Sequence, residues 1–405
     1  MAVGNGDYGT LHAVPGVRLA AVSAGIKKPG RLDVVVFELC EGSVTAGVFT
    51  TNAFCAAPVV LSKRHLAAGM PRYFLINTGN ANAGTGADGL AAAKRCCEAL
   101  AKESGVATHA VLPFSTGVIG EPLPADKIVA VLPQALQELA DDKWDLAARG
   151  IMTTDTRPKA ASKQVVLDGV TLTITGISKG AGMIKPNMAT MLGYIATDIG
   201  LTAEEAQRLV RAAADKSFNR VTVDGDTSTN DCCMLVATGK SGVSLSSLSA
   251  EARAQFESAL QEVFIALATA IIRDGEGATK FVTVDIEGGA DSEECLKVGY
   301  AVAESPLVKT ALFASDPNWG RILAAVGRAG LQNLDLEAIE IWLDDVKIVE
   351  RGARAASYTE EQGQRVLNQE EFTIRVVLGR GSVNERLWTC DFSHDYVSIN
   401  ADYRS

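Results

Sequence analysis

Ser178-Lys-Gly-Ala-Gly-Met-Ile-Lys-Pro-Asn-Met-Ala-Thr-Met-Leu-Gly193 is the stretch on which the reading of this chain turns. Glycines, lysines and a proline crowd its front half, ahead of one hydroxyl residue, Thr190, set between Ala189 and Met191. A strand-like run, Gly193–Asp198, follows. Glycine permits positive φ and close backbone approach, proline fixes its own φ, and lysine offers positive charge to an anionic group. Those properties suit a nucleophile held beside its own scissile peptide. They suit equally a Gly/Pro-rich turn into a strand, with Thr190 as β-branched filler, and the segment alone does not separate the two.

Working outward, strands and helices alternate. Leu32–Leu39, Ser43–Thr50 and Tyr73–Asn77 read as strands, and Ala57–Ala68, Ala87–Glu103 and Ala125–Leu139 as helices. Gln164–Thr175 predicts a hairpin whose Asp168-Gly169 pair suits a type I′ turn. Thr202 with Glu205 forms the capping-box pattern that opens a helix running to about Phe218. A strand near Cys232–Ala237, a long helix over Ala250–Ile272 and a strand over Lys280–Ile286 come next. Helices over Glu293–Glu304, Pro306–Phe313 and Trp319–Ala329 precede a smaller, strand-rich finish near Ala338–Leu343 and Phe372–Leu378. Mixed elements without one clean βαβ rhythm predict a layered α/β or α+β body.

Composition excludes several functions. The formal net charge of −10 disfavours a phosphate-backbone partner, so nucleic acid is not expected. The longest apolar run, Val263–Ile272, falls short of the ~18 residues needed to cross a bilayer, and the N-terminus lacks a signal-peptide pattern. The expectation is a cytoplasmic protein without a membrane partner. Eight cysteines include no C-x-x-C pair, and the four histidines are scattered, so no metal site is expected.

Further polar, glycine-bearing loops lie at element ends. In Pro113-Phe-Ser-Thr-Gly-Val-Ile-Gly-Glu-Pro122, which follows the strand-like Ala107–Leu112, Thr116 and Gly117 can present a hydroxyl and a backbone N–H to an oxyanion, or simply make a turn. Ile151–Pro158 carries hydroxyl and carboxyl groups in a row, suited to a small polar ligand or to Asx and ST turns. In Arg273-Asp-Gly-Glu-Gly-Ala-Thr279, Gly275 is placed to cap the long helix and leave Glu276 on a loop. Asp224–Asp231 opens like a calcium loop but lacks the later spacing, and fits a hydrogen-bonded loop beneath an active site better. Asn77–Gly86 has neither phosphate-loop pattern.

Taken together, K-G-A-G-M-I-K-P-N-M-A-T-M-L, N-T-G-N-A-N-A, P-F-S-T-G-V-I-G, M-T-T-D-T, D-G-D-T-S-T-N-D, R-D-G-E-G-A-T-K and D-P-N-W-G-R resemble the ornithine acetyltransferases, also called glutamate N-acetyltransferases or the ArgJ family. The resemblance runs in order from about Asn77 to Ser405. It implies an αββα-type layered sandwich of the DmpA/ArgJ-like kind with a smaller C-terminal α/β portion. It also implies self-cleavage at Ala189–Thr190, giving chains 1–189 and 190–405 that associate as an α2β2 heterotetramer.

The implied activity is ping-pong acetyl transfer from N2-acetyl-L-ornithine to L-glutamate through acetyl-Thr190, within arginine biosynthesis. Thr116 and Gly117 match the oxyanion-hole pair; Thr156, Lys179, Glu276, Asn400 and Ser405 match substrate contacts, along with Thr190 itself. No cofactor is implied, though some members also take acetyl from acetyl-CoA as a co-substrate, which would make the enzyme multifunctional. Charge assigns Lys179 to a substrate carboxylate and Glu276 to the ornithine ammonium. The alternative enzyme is a self-processing N-terminal-nucleophile aminopeptidase or amidohydrolase of related fold. A non-catalytic binding protein that is never processed is the third reading.

Overall fold

The computed structural model describes residues 2–185 and 191–402; Ala189, Thr190 and Ser405, and with them the predicted cleavage bond, lie outside the described residues. Four strands, in the order Val17–Val22, Val34–Leu39, Tyr73–Asn77 and Val111–Ser115, form a first sheet that is apolar on both faces. Such a sheet must be covered twice. Helices Ala57–Ala68, Gly86–Ser104 and Ala125–Gln137 cover its outer face, where Leu75, Val111, Cys97, Leu100 and Leu132 are buried together. Its inner face meets a second sheet of five strands, ordered Val44–Phe49, Cys232–Ala237, Leu192–Thr197, Val170–Lys179 and Lys159–Leu167.

Aromatic rings fill the space between the two sheets. Tyr194 of the second sheet stands 5.4 Å from Phe37, 5.9 Å from Phe74 and 5.2 Å from Phe114 of the first, measured between ring centroids. Trp144, from the short helix Trp144–Gly150, closes the cluster edge-on against Phe37 at 5.8 Å. The outer face of the second sheet is covered by helices Ala203–Asp215 and Ala250–Arg273. The long helix has 24 residues, with the length and composition of a membrane span, and packs Phe256, Leu260, Phe264, Leu267 and Ile271 into the core. The architecture is therefore a layered αββα sandwich. A smaller C-terminal α/β portion is built on a seven-stranded sheet with its own core, and strand Val221–Thr222 pairs with Trp388–Thr389 to join that portion to the sandwich.

In the second sheet, Val170–Lys179 and Leu192–Thr197 are antiparallel neighbours, with Lys179 opposite Leu192. The end of the first strand and the start of the second therefore lie side by side at one end of the sheet. The hairpin turn at Asp168-Gly169 has φ of 48° and 84°, as a type I′ turn requires, and the Thr202/Glu205 capping box is present. Several details differ from the sequence reading, among them the unexpected strand Val346–Glu350 and the unexpected helices Trp144–Gly150, Glu360–Leu367 and His394–Ala401. The strand expected over Ala107–Leu112 is a short 3-10 turn, Thr108–Ala110, followed by the strand Val111–Ser115, which runs into the predicted oxyanion loop. The long helix is capped by Asp274, not Gly275. Strands Val17–Val22 and Val383–Cys390 were not anticipated.

The aromatic layer between the sheets makes a direct prediction. Phe74→Ala removes the ring that touches Phe37, Phe114 and Tyr194, and should lower unfolding stability by about 3–5 kcal/mol, measured by urea denaturation followed by tryptophan fluorescence.

Candidate active site

A cavity of about 180 Å³ opens where the ends of the two sheets meet. Its lining includes Thr116, Gly117, Lys179, Glu276 and Asn400, five of the residues singled out from sequence. Met191, covalently bonded to Thr190, and Leu192 also face it. These side chains come from segments up to 284 positions apart, Thr116 to Asn400, so the assembly is a product of the fold.

The wall carrying Thr116 and Gly117 is made by backbone crossing backbone. Thr116 N–H donates to Asn77 O at 3.0 Å, and Ala81 N–H donates to Val118 O at 2.9 Å. Gly117 has φ of 134°, and a Cβ there would lie 2.3 Å from the Gly79 carbonyl carbon. Only glycine allows that approach. The Asp224–Asp231 loop stitches this wall to the rest: Asn230 Nδ2 donates to Ala81 O at 2.6 Å and to Ser115 O at 2.9 Å. At its other end Asp224 accepts N–H groups from Met183 at 2.6 Å and Ile184 at 2.9 Å, holding the segment that leads towards Thr190. That is the supporting loop expected from sequence.

Lys179 ends its strand with the ammonium buried in the cavity wall, donating to Thr116 Oγ1 at 3.2 Å. Burial pushes its pKa down, against the opposing pull of Asp155. Across the cavity, Asp231 is buried with Oδ2 unpartnered among the described residues. Burial raises its carboxyl well above the ordinary carboxylate value, with Ser228 and Lys179 opposing. Sequence reasoning missed Asp231, because one aspartate in a polar loop carries no sign of burial.

Glu276 is buried rather than solvated. Its N–H donates to Ala181 O at 2.9 Å, and Oε2 accepts from Asn400 Nδ2 at 2.8 Å. A Cβ on Gly182 would lie 2.3 Å from that carboxylate, so Gly182 is needed for the close approach. Asn400 belongs to the helix His394–Ala401, tied down where Ser393 Oγ donates to Gly277 O at 2.6 Å.

Thr156 is placed differently. Its hydroxyl and N–H both go to Asp274, the N–H at 3.0 Å, and the members of its loop that line the cavity are Thr153 and Thr154. Asp274 and Asp155 together hold Lys159 Nζ, each at 2.6 Å, with all three side chains almost fully buried. Asp155 also accepts the N–H groups of Thr153 at 2.9 Å and Gly180 at 2.8 Å. Burial by itself would raise the Asp155 pKa, but Lys159 and Lys179 pull it below the usual carboxylate range. Among the described residues no group of three His, Cys, Asp or Glu side chains is placed to hold a metal ion, and all eight cysteines are free thiols.

This ion triad gives two predictions. Lys159→Met leaves two buried carboxylates without their cation and should cost about 3–5 kcal/mol of unfolding stability, read from urea melts at neutral pH. Because the folded Asp155 pKa is depressed, its contribution is complete above the unfolded carboxylate value of about 3.9 and is lost as pH falls towards the folded value. Asp155→Asn should therefore flatten the acid limb of a Tm-against-pH curve; an unchanged slope below pH 4 would contradict this.

Comparison with known proteins agrees with the motif reading. The ArgJ family model matches residues 18–405. The arginine biosynthesis bifunctional protein ArgJ of Pseudomonas fluorescens (strain Pf0-1) is 61% identical over 406 residues, spanning 100% of both chains. The protein of the same name from Pseudomonas syringae pv. tomato is 61% identical over 408 residues, again over 100% of both. Among solved structures, bifunctional ArgJ from Bacillus halodurans aligns at 36% identity and a TM-score of 0.49, covering 52% of this chain and 99% of that one. The ornithine acetyltransferase from Mycobacterium tuberculosis, solved with ornithine, aligns at 35% identity and a TM-score of 0.39, covering 44% of this chain and 94% of that one. Matched by the family model over nearly its whole length, and by relatives 61% identical from end to end, the chain belongs to the ArgJ family.

Proposed function

We propose that this chain is a self-processing acetyltransferase of arginine biosynthesis, which cleaves its own Ala189–Thr190 bond and then carries acetyl from N2-acetyl-L-ornithine to L-glutamate on Thr190. The observation that carries this reading is the convergence of Thr116, Gly117, Lys179, Glu276 and Asn400 on one cavity that Met191, the neighbour of Thr190, also lines. In the first reaction Thr190 Oγ attacks the Ala189 carbonyl, the acyl group shifts from nitrogen to oxygen, and water hydrolyses the ester. Thr190 then begins its chain with an α-amine whose ordinary pKa is about 7.7–8.0, close enough to neutrality to take the proton from its own hydroxyl. That arrangement requires no histidine.

In the second reaction the same hydroxyl attacks the acetyl carbonyl of acetylornithine. Lys179 donates to Thr116 Oγ1, which leaves the Thr116 hydroxyl proton available to a developing oxyanion, with the Gly117 backbone beside it. Glu276, oriented by Asn400, suits the side-chain ammonium of ornithine, and Lys179 suits the α-carboxylate. Donor and acceptor are both α-amino acids, so one cavity can serve each in turn, which suits the ping-pong order. Ser405 and Thr156 enter as the remaining substrate contacts implied by the motif match, Thr156 through the Asp274 network. The cleaved chains are proposed to assemble as α2β2 in the cytoplasm.

Intact mass tests the processing step: the wild type should give two chains, and Thr190→Ala one uncleaved, inactive chain. A Thr190→Ala protein that transfers acetyl refutes the nucleophile. Thr116→Val should lower kcat about 10²–10³-fold, as expected for one lost oxyanion donor. Initial-rate patterns with acetylornithine and glutamate should be parallel lines; release of free acetate without transfer to glutamate would favour the hydrolase instead. Because burial lowers the Lys179 pKa, the KM for the substrate that relies on its charge should rise with pH before the ordinary lysine value of about 10.4 is reached.

A further inference from the structure

Self-cleavage poses a proton problem that acetyl transfer does not. Before the cut, the Thr190 nitrogen belongs to an amide and cannot serve as a base, so the α-amine that assists transfer does not yet exist. Another group must take the hydroxyl proton and deliver one to the departing nitrogen. Among the described residues, the cavity wall holds three ionisable side chains, Lys179, Glu276 and Asp231. Two are engaged: Lys179 donates to Thr116 Oγ1, and Glu276 accepts from Asn400 Nδ2. Asp231 is 3% exposed, yet its Oδ2 has no partner among the described residues. A buried polar atom left so is costly, and catalytic groups are one place where that cost is tolerated. Its position follows from the second sheet. Cys232 lies opposite Leu192, and Cys232 N–H donates to Met191 O at 2.9 Å, so Asp231 adjoins Met191 where the ladder reaches the cavity. Thr190 is the next residue back along the chain. On its other side the loop is anchored by Thr50 N–H, which donates to Asp231 O at 2.9 Å. The groups facing the carboxyl are the Lys179 ammonium at the end of its strand, the Ser228 hydroxyl from its own loop, and the thiols of Cys55 and Cys232.

We propose that Asp231 is the acid–base group of self-cleavage, carrying the proton of the Thr190 hydroxyl to the Thr190 nitrogen. The inference rests on the self-processing reading and deepens it by assigning the step that the α-amine cannot perform. As Oγ bonds to the Ala189 carbonyl carbon, its proton passes to the Asp231 carboxylate. As the C–N bond breaks, the carboxyl returns that proton to nitrogen, leaving an ester on Oγ and a free amine. The carboxylate ends as it began, and nothing is consumed until water hydrolyses the ester. Burial raises this carboxyl well above the ordinary carboxylate value, with Ser228 and Lys179 opposing, which makes its ionised form a stronger base than a solvated aspartate. Because the pKa is raised, the ionised form is scarce at low pH. Cleavage should therefore speed up as pH rises through the raised value and level off above it.

The test follows cleavage of freshly translated full-length chain, moved into buffers from about pH 5 to about pH 9 and read over time by intact mass. The wild-type rate should rise with pH to a plateau. Asp231→Asn keeps the shape of the neutral carboxyl but can neither take nor return the proton. It should cleave more than about tenfold more slowly than wild type and lose the rising limb. Asp231→Glu restores a carboxyl on a longer arm and should recover part of the rate together with the limb, which a purely structural role for the aspartate would not produce. The assignment is overturned if the wild-type rate is the same across that pH range, if Asp231→Asn cleaves within about tenfold of wild type, or if Asp231→Glu is no faster than Asp231→Asn. A wild-type chain that never cleaves would instead overturn the self-processing reading, so the two failures are distinguishable.

Discussion

The buried ammonium of Lys159, clasped by Asp155 and Asp274, is the contact from which the site is hung. A charge with almost no access to water is tolerated only where opposite charge and hydrogen bonds replace hydration. Here that requirement draws three separate segments together. Asp155 brings the Thr153–Thr156 loop and, through Gly180 N–H, the chain just beyond Lys179. Asp274 brings the end of the long helix and, two residues later, Glu276. Neither carboxylate touches the cavity, yet the positions of Thr153, Thr154, Lys179 and Glu276 all follow from theirs.

The cavity shows a division between side chains that face it and backbone that holds it. Asn77, Asn80 and Asn230 spend their amides on main-chain carbonyls and so lock turns that no regular ladder could satisfy. Charge is arranged in the opposite spirit. Lys179 and Asp231 sit close enough to affect one another, both poorly hydrated, with their pKa values moved towards neutrality by burial. Groups poised in that way are characteristic of sites where protons and charge must be redistributed during a reaction.

Much of the fold is legible in the sequence because hydrophobic period is a local property. Tyr73–Asn77, the hairpin around Asp168-Gly169 and the helix beginning at Ala250 all follow from pattern and turn chemistry. Val383–Cys390 escaped because Asn384, Glu385 and Arg386 interrupt its apolar character, and pairing with Phe281–Gly289 stabilises it from a distance. The cavity was legible residue by residue through motif resemblance, and Thr116, Lys179, Glu276 and Asn400 do converge. The buried state of Lys159 and Asp231 was not legible. Burial depends on what packs overhead, and a lone lysine before two alanines looks like any surface lysine.

The register that sets Lys179 opposite Leu192 changes the molecularity of folding if the loop between them is cut. The second sheet would then draw Val44–Phe49, Lys159–Leu167 and Val170–Lys179 from one fragment, and Leu192–Thr197 and Cys232–Ala237 from the other, interleaved edge to edge. An intact chain closes that sheet at a rate independent of concentration. Two fragments, once unfolded, would have to find each other first, losing the proximity that the connecting loop supplied. The native arrangement would survive the cut through its shared ladder and core, while the route back to it becomes second order. A protein so made would be assembled once, as a single chain, and would afterwards depend on that shared ladder and core to keep its two parts together.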